Sequence, residues 1–166
     1  MTQTAPPSPL QKNPLWQFSL VFYRHNDVES FLLDCQDRRG ADICMMLWAS
    51  YAAVCGHQLS DERWCVVDRS LAPRRSMIRS LRHLRRLLGH LRPYTLGLYG
   101  MCKRYELKLE RLQLAMLWTN CVGDWPGDCP ALELAAHQYG LLEKEQARWA
   151  SLIESYLASS EDLDAG

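Results

Sequence analysis

Apolar positions recur at helical spacing along almost the whole chain, and no segment shows the strict alternation of a half-buried strand. Asn13-Pro14 opens the pattern as an N-cap and a first-turn proline. Leu15, Trp16, Phe18, Leu20, Val21, Phe22 and Tyr23 follow, and His25-Asn26 breaks the run. Asp27 is placed to cap a second helix. Its buried stripe is Val28, Phe31, Leu32 and Cys35, Asp34 and Arg38 form an i,i+4 pair, and Gly40 suits the helix end. Asp42 caps the most apolar segment, residues 43–55, closed by Gly56 and expected at the centre of the core. Ser60, Asp61 and Glu62 start a short helix that Pro73 should end.

Residues 74–92 then read as the clearest amphipathic helix. Met77, Leu81, Leu84, Leu88 and Leu91 repeat at 4,3,4,3, and Arg75, Arg79, Arg82 and Arg86 at 4,3,4. At about 100° per residue the two stripes lie roughly 160° apart. A further helix runs over about 98–119, with Tyr105, Leu109, Leu112 and Met116 on one face. A turn-rich loop, GDWPGDCP, spans 123–130, and two helical pieces follow over about 131–139 and 141–158. The pattern predicts one all-α domain of six or seven helices over 14–158. Flexible ends are expected at 1–13 and 159–166. The helices around 74–92 and 98–119 should pair antiparallel and bury their leucine faces.

Composition changes this picture little: 166 residues, 48% hydrophobic and 23% charged, exclude wholesale disorder. The most apolar run is too short for a membrane span, which needs about 20 apolar residues. The first residues lack the apolar core of a secretory signal, so a cytoplasmic protein is expected.

Charge adds more. The formal net charge is zero, yet residues 1–68 carry −3, residues 69–111 carry +10 and residues 112–166 carry −7. An arginine stripe opposite a leucine stripe predicts a docking face for a protein partner with an acidic surface, with Arg75, Arg79, Arg82 and Arg86 as its contacts. On that reading, changing all four to Glu leaves the fold intact and abolishes binding. The acidic last third is a candidate shield for the basic helix. The same face, held against phosphates, is an RNA- or DNA-binding alternative.

Candidate chemistry is sparse. No nucleophile elbow, phosphate-binding loop or zinc-protease motif occurs, and no cofactor is indicated. Seven cysteines at 35, 44, 55, 65, 102, 121 and 129 contain no C-x-x-C pair, so thiols packed as small hydrophobes are expected and no metal site. Asp37 and Asp42 with His25 upstream are the alternative of an acid/base site over 25–42. Helix capping accounts for the same carboxylates without chemistry. Trp125, in the polar loop, is a candidate interface anchor.

Leu15-Trp16-x-Phe18, Tyr23, Val28 and then Leu33-x-x-Gln36-Asp37-x-x-Gly40-Ala41-Asp42-Ile43 resemble a proteobacterial family of small helical proteins of unknown function. Ile78-Arg79-Ser80-Leu81-Arg82-His83-Leu84-Arg85-Arg86 and Tyr105-Glu106-Leu107-x-Leu109-Glu110-Arg111 continue the resemblance, which covers roughly residues 14–115. Cys35, Cys44 and Ser80 depart from the family pattern. The resemblance implies a helical bacterial cytoplasmic protein. It makes the turn at Gln36, Asp37, Gly40 and Asp42, together with the arginine helix, the defining features. It brings no activity with it.

Overall fold

A computed structural model describes residues 13–91, 96–119 and 127–164, with side chains described to 160. Among the described residues, seven helices and one two-residue ladder form an all-α fold. In chain order they are α1 (Pro14–Phe22), α2 (Val28–Arg39), α3 (Ile43–Val54), β1 (Gln58–Leu59), α4 (Asp61–His90), α5 (Leu96–Thr119), β2 (Cys129–Pro130), α6 (Ala131–Gln138) and α7 (Glu143–Asp164). The strands pair antiparallel, Gln58 opposite Pro130 and Leu59 opposite Cys129. None of the described helices is long and apolar enough to cross a membrane.

Three of the four N-caps that the sequence predicts bond their helix amides. Asn13 accepts from the Trp16 amide at 3.1 Å, Ser60 from the Arg63 amide at 3.3 Å, and Asp42 from the Cys44 and Met45 amides at 2.8 and 3.2 Å. Each bond satisfies an orphan N–H of a first turn, typically worth about 1 kcal/mol. Gly40 ends α2 at φ 67°, where a Cβ would be strained. Asp27 flanks α2 without a side-chain cap; its carbonyl instead accepts from the Ser30 hydroxyl at 2.8 Å.

Helix α3 is the centre, touching α1, α2, α5, α6 and α7. Every residue from Cys44 to Ser50 is buried. Trp48 stacks on Trp64 with centroids 5.7 Å apart, and Phe31 meets Trp149 at 6.2 Å. Burying each such ring contributes about 1.5–3 kcal/mol. The buried Ser50 hydroxyl donates to the Met46 carbonyl and accepts from the Trp149 indole at 3.0 Å, so the core polar groups there are satisfied.

Helix α4 departs from expectation. It is one 30-residue helix with Pro73 inside it. Proline removes one backbone donor and crowds the carbonyl four residues back; the contacts of α4 with α5 carry the helix through. The buried residues Trp64, Val67, Leu71 and Ile78 form one stripe. Continued past Ile78, that stripe reaches Arg82 and Arg85 as well as Leu81 and Leu88, all half-buried. The expected antiparallel pairing of α4 with α5 is present, but its buried seam is different. On α5 the buried positions are Cys102, Glu106, Gln113, Leu114 and Leu117, while Tyr105 and Leu107 are exposed. Met77, Leu84, Leu87 and Leu91 of α4 are exposed as well. The predicted leucine faces are therefore only partly buried: Leu81, Leu88, Leu109, Leu112 and Met116 are half-buried, and the other members are exposed.

At the ends, α7 continues to Asp164, where a frayed end is expected from residue 159. The expected N-terminal tail lies outside the described residues apart from Asn13, as do Trp125 and Cys121. Cys35, Cys44 and Cys102 are buried, whereas Cys55 and Cys65 are exposed.

Candidate functional site: an arginine–carboxylate cleft

The turn between α2 and α3 faces the middle of α4, and the two features singled out from the sequence meet there. Gln36, Asp37, Gly40 and Asp42 line one wall of a cleft of about 240 Å³, and Arg75, Arg79, Arg82 and Arg86 line another. Glu110 and Gln113 of α5 complete it.

The four arginines have unequal environments. Arg75 donates from Nε to Asp42 Oδ2 at 2.7 Å and from Nη2 to Asp68 Oδ1 at 2.7 Å, keeping 22% of its side-chain exposure. Arg82 donates to Glu106 at 2.8 Å and to Glu110 at 2.9 Å, keeping 18%. Arg86 meets Asp37 at 3.2 Å, with both side chains 59% exposed. Arg79 is exposed and has no ion pair among the described residues. Two of the four expected partner contacts are thus already held inside the molecule. The reason lies in α2, α3 and α5: their carboxylates stand where the core stripe of α4 arrives, and a guanidinium fork suits them better than leucine.

Asp42 is the hub. Besides its two amide caps and Arg75, its Oδ2 accepts from Gln113 Nε2 at 2.7 Å. Sequence reasoning missed Glu106, Glu110, Gln113 and Asp68. The available signal was the spacing of Cys102, Glu106, Gln113 and Leu117, which puts two polar residues on the inner stripe of α5.

Glu106 and Glu110 bind the same arginine but titrate in opposite directions. Burial raises the Glu106 carboxyl, but hydrogen bonds from Arg85 and Arg82 outweigh it and hold the group below its usual value. Burial pushes Glu110 up, further than Arg82 draws it down. A depressed carboxyl adds stability above its unfolded pKa, and that stability is lost as pH falls through the folded value; for a raised carboxyl the gain is on the acid side and is lost as pH rises. Glu106→Gln is therefore expected to cost roughly 2–4 kcal/mol at neutral pH, discounted for partial exposure. Glu110→Gln should cost under about 1 kcal/mol. Urea denaturation at pH 7 and pH 4 checks this: the gap between the variants should narrow in acid.

Of the residues of the acid/base alternative, Asp37 and Asp42 share the cleft and His25 does not join them. His25 Nε2 meets Ser155 Oγ at 3.2 Å and its ring packs on Tyr156, against α7, and His25 is not among the cleft's lining residues. Asp42 is occupied by caps and Arg75. Among the described residues no carboxylate of the acidic last third pairs with the basic helix, whose arginines bind Asp37, Asp42, Asp68, Glu106 and Glu110. Glu145, from that third, binds Arg39 instead. Among the described residues no three metal-ligating side chains converge.

Fold and cleft together define a small all-α protein whose longest helix is anchored to a capped turn by arginines. The chain belongs to DUF2390, a family of proteins of unknown function, which matches residues 14–117. That span holds the whole cleft and nearly all of the α4–α5 hairpin. No curated protein and no solved structure matches the chain.

Proposed function

We propose that this is a non-enzymatic cytoplasmic interaction protein, and that it docks an acidic amphipathic helix of a protein partner on the outer face of the α4–α5 hairpin. The observation that carries the reading is the exposed apolar face of that hairpin. Met77 and Leu91 are 57% and 58% exposed, and Leu84, Leu87, Leu98, Met101 and Tyr105 are exposed with them. At about 100° per residue, Met77, Leu84 and Leu91 lie roughly 140–180° from Arg82 on α4. Leu98, Met101 and Tyr105 lie roughly 120–180° from Glu110 on α5. Arg82 and Glu110 both line the cleft, so the two apolar stripes lie on the sides of α4 and α5 turned away from it. Large apolar side chains exposed in this number on one hairpin commonly mark an interaction site.

Charge selects the occupant. Arg104 and Lys108 are exposed beside the stripe on α5, and neither has an ion pair among the described residues. They lie in the segment of net charge +10. A second copy would set two such segments against each other, whereas an acidic amphipathic helix offers leucines to the stripe and carboxylates to its border. The docking face thus moves from the arginine stripe to the opposite side of the same hairpin.

The test is capture from native lysate by the tagged protein, with and without nuclease, repeated with Leu84→Lys/Leu91→Lys and with Arg104→Glu/Lys108→Glu. Both pairs are exposed, so melting should stay within a few degrees of wild type. A discrete acidic partner that survives nuclease, is lost with the first pair and is weakened at least tenfold by the second supports the reading. Retention that vanishes with nuclease favours nucleic acid and overturns it. So does a partner indifferent to both pairs, an empty eluate, or a wild-type dimer that the first pair disperses.

A further inference from the structure

The end of α3, the two-stranded ladder, α6 and α7 enclose a second hollow, a groove of about 540 Å³. None of the described residues of α4 or α5 lines it. The groove has a cause in the sequence. Earlier in α3 the core is filled by Met45, Leu47 and Trp48. Here Ala53 of α3, Ala131 of α6, and Ala147 and Ala150 of α7 border the same space, and Gly56 adds no side chain. Such small residues leave a gap where protein interiors are normally close-packed, and the atoms around it forgo contacts that a larger group would make. Ala131 and Trp149 are buried and form the floor. The other lining residues keep exposed or half-exposed surface, so a solute reaches them from water.

The polar lining is His57, Gln58, Glu133 and Gln146. His57 already has a partner within the chain. Gln146 spends its Nε2 on the Leu141 carbonyl at 2.9 Å, which leaves the acceptor Oε1. Glu133 is the one carboxylate of the lining. It is exposed and has no ion pair among the described residues. The surrounding charge has the same sign. After burial, the charges of Glu133, Asp128 and Asp61 push up the thiol of Cys129, the residue before Pro130 in the groove wall. Residues 112–166 together carry −7. A hollow lined by one sign of charge with apolar walls focuses its field and selects a cation over an anion.

We propose that this groove binds a small aromatic amine, with the ring lodged against Ala53, Leu132 and Ala150 and the ammonium beside Glu133. Small-molecule sites are mostly apolar hollows of roughly 300–1,000 Å³ with a few polar groups that fix orientation, and this groove has that size and lining. Its volume lies in the lower half of that range and suits a body of one or two rings. A ring supplies the apolar contact the alanines leave unmade, and its rigidity means little freedom is lost on binding. The ammonium brings the donors that Glu133 lacks, in a charge-assisted hydrogen bond. The site lies apart from the α4–α5 hairpin and goes beyond the docking reading.

Isothermal titration of the full chain tests it, with phenethylamine and tryptamine as probes. Phenethyl alcohol and tryptophol keep the ring and lose the charge, and ethylamine keeps the charge and loses the ring. Saturable one-to-one binding of at least one amine is expected, and the tighter of the two gives the ring size. Its alcohol should bind at least about tenfold more weakly, and ethylamine should not saturate. Glu133→Gln should weaken the amine by about tenfold or more and leave the alcohol unchanged. Ala147→Leu fills the groove from an exposed helix position and should abolish binding of the amine. Both positions are exposed, so both variants should melt within a few degrees of wild type. Leu84→Lys/Leu91→Lys should leave the affinity unchanged, which separates this site from the docking reading. Absence of saturable binding by either amine, equal affinity for an amine and its alcohol, or wild-type affinity in Glu133→Gln or Ala147→Leu would each overturn the proposal.

Discussion

Asp42→Ala is expected to cost the protein a large share of its folding stability. One carboxylate, 8% exposed, holds three parts of the molecule. It caps α3 through the Cys44 and Met45 amides, and losing such a cap costs about 1 kcal/mol. It is the more buried of the two carboxylates that hold Arg75, and the other, Asp68, is 38% exposed. Removing one member of a buried pair costs about 3–5 kcal/mol, less here because Arg75 keeps some contact with water. It is also the acceptor for Gln113 Nε2, which would join Oε1 as a second unsatisfied atom of a buried side chain. These contributions share partners and do not simply add. A loss of about 4–6 kcal/mol brackets them, about half the stability of a domain in the middle of the usual range of about 5–15 kcal/mol. Asp42→Asn keeps an oxygen for the α3 amides but presents an NH₂ or a neutral oxygen to Arg75, so about half the loss is expected. Urea denaturation followed by circular dichroism measures both. A loss below about 2 kcal/mol for Asp42→Ala would show that the turn does not depend on the network.

The parts of the fold legible in the sequence are those set by local chemistry. Asn13, Ser60 and Asp42 announce their helices because a short polar side chain before an apolar stripe has one energetically useful place to go. Val28, Phe31, Leu32 and Cys35 fall on one side of α2 by spacing alone, and all four are buried. The apolar segment after Asp42 has no polar side to expose, so it becomes the centre. The arginine helix was not legible in the same way. Periodicity fixes the angle between two stripes but not which of them faces inward. That choice is set by phase, and the phase of α4 comes from Trp64, Val67 and Leu71, on the far side of Pro73. Reading the proline as a terminator cuts residues 74–92 away from the turns that orient them. The leucines then look like the core face because, in isolation, apolar burial is the stronger term. The carboxylates that reverse this choice come from the α2–α3 turn and from α5, tens of residues away in sequence. The candidate site was legible as two separate features, the turn and the arginine stripe, but not as one cleft.

Changing Arg75, Arg79, Arg82 and Arg86 together to Glu is now expected to unfold the protein, where the sequence alone predicts an intact fold. The four single variants should separate sharply. Arg75→Glu sets a third carboxylate against Asp42 and Asp68, and Arg82→Glu does the same to Glu106 and Glu110. Each removes a largely buried cation and replaces attraction with repulsion between partly desolvated charges, a loss of roughly 4 kcal/mol or more. Arg79→Glu touches no ion pair and should stay within about 0.5 kcal/mol of wild type. Arg86→Glu loses one exposed contact and adds repulsion with Asp37 across water, about 1 kcal/mol, shrinking further in high salt. Arg82→Lys sharpens the argument: it keeps the charge but cannot bind Glu106 and Glu110 with one planar fork, so it should fall between wild type and Arg82→Glu. Chemical denaturation of the five variants gives the order Arg79 and Arg86 mild, Arg82→Lys intermediate, Arg75→Glu and Arg82→Glu severe. Were Arg75→Glu and Arg82→Glu to melt like wild type, their guanidiniums would not be spent inside the molecule. The arginine stripe would then be the open face, and the leucine stripe would have to be sought in the core.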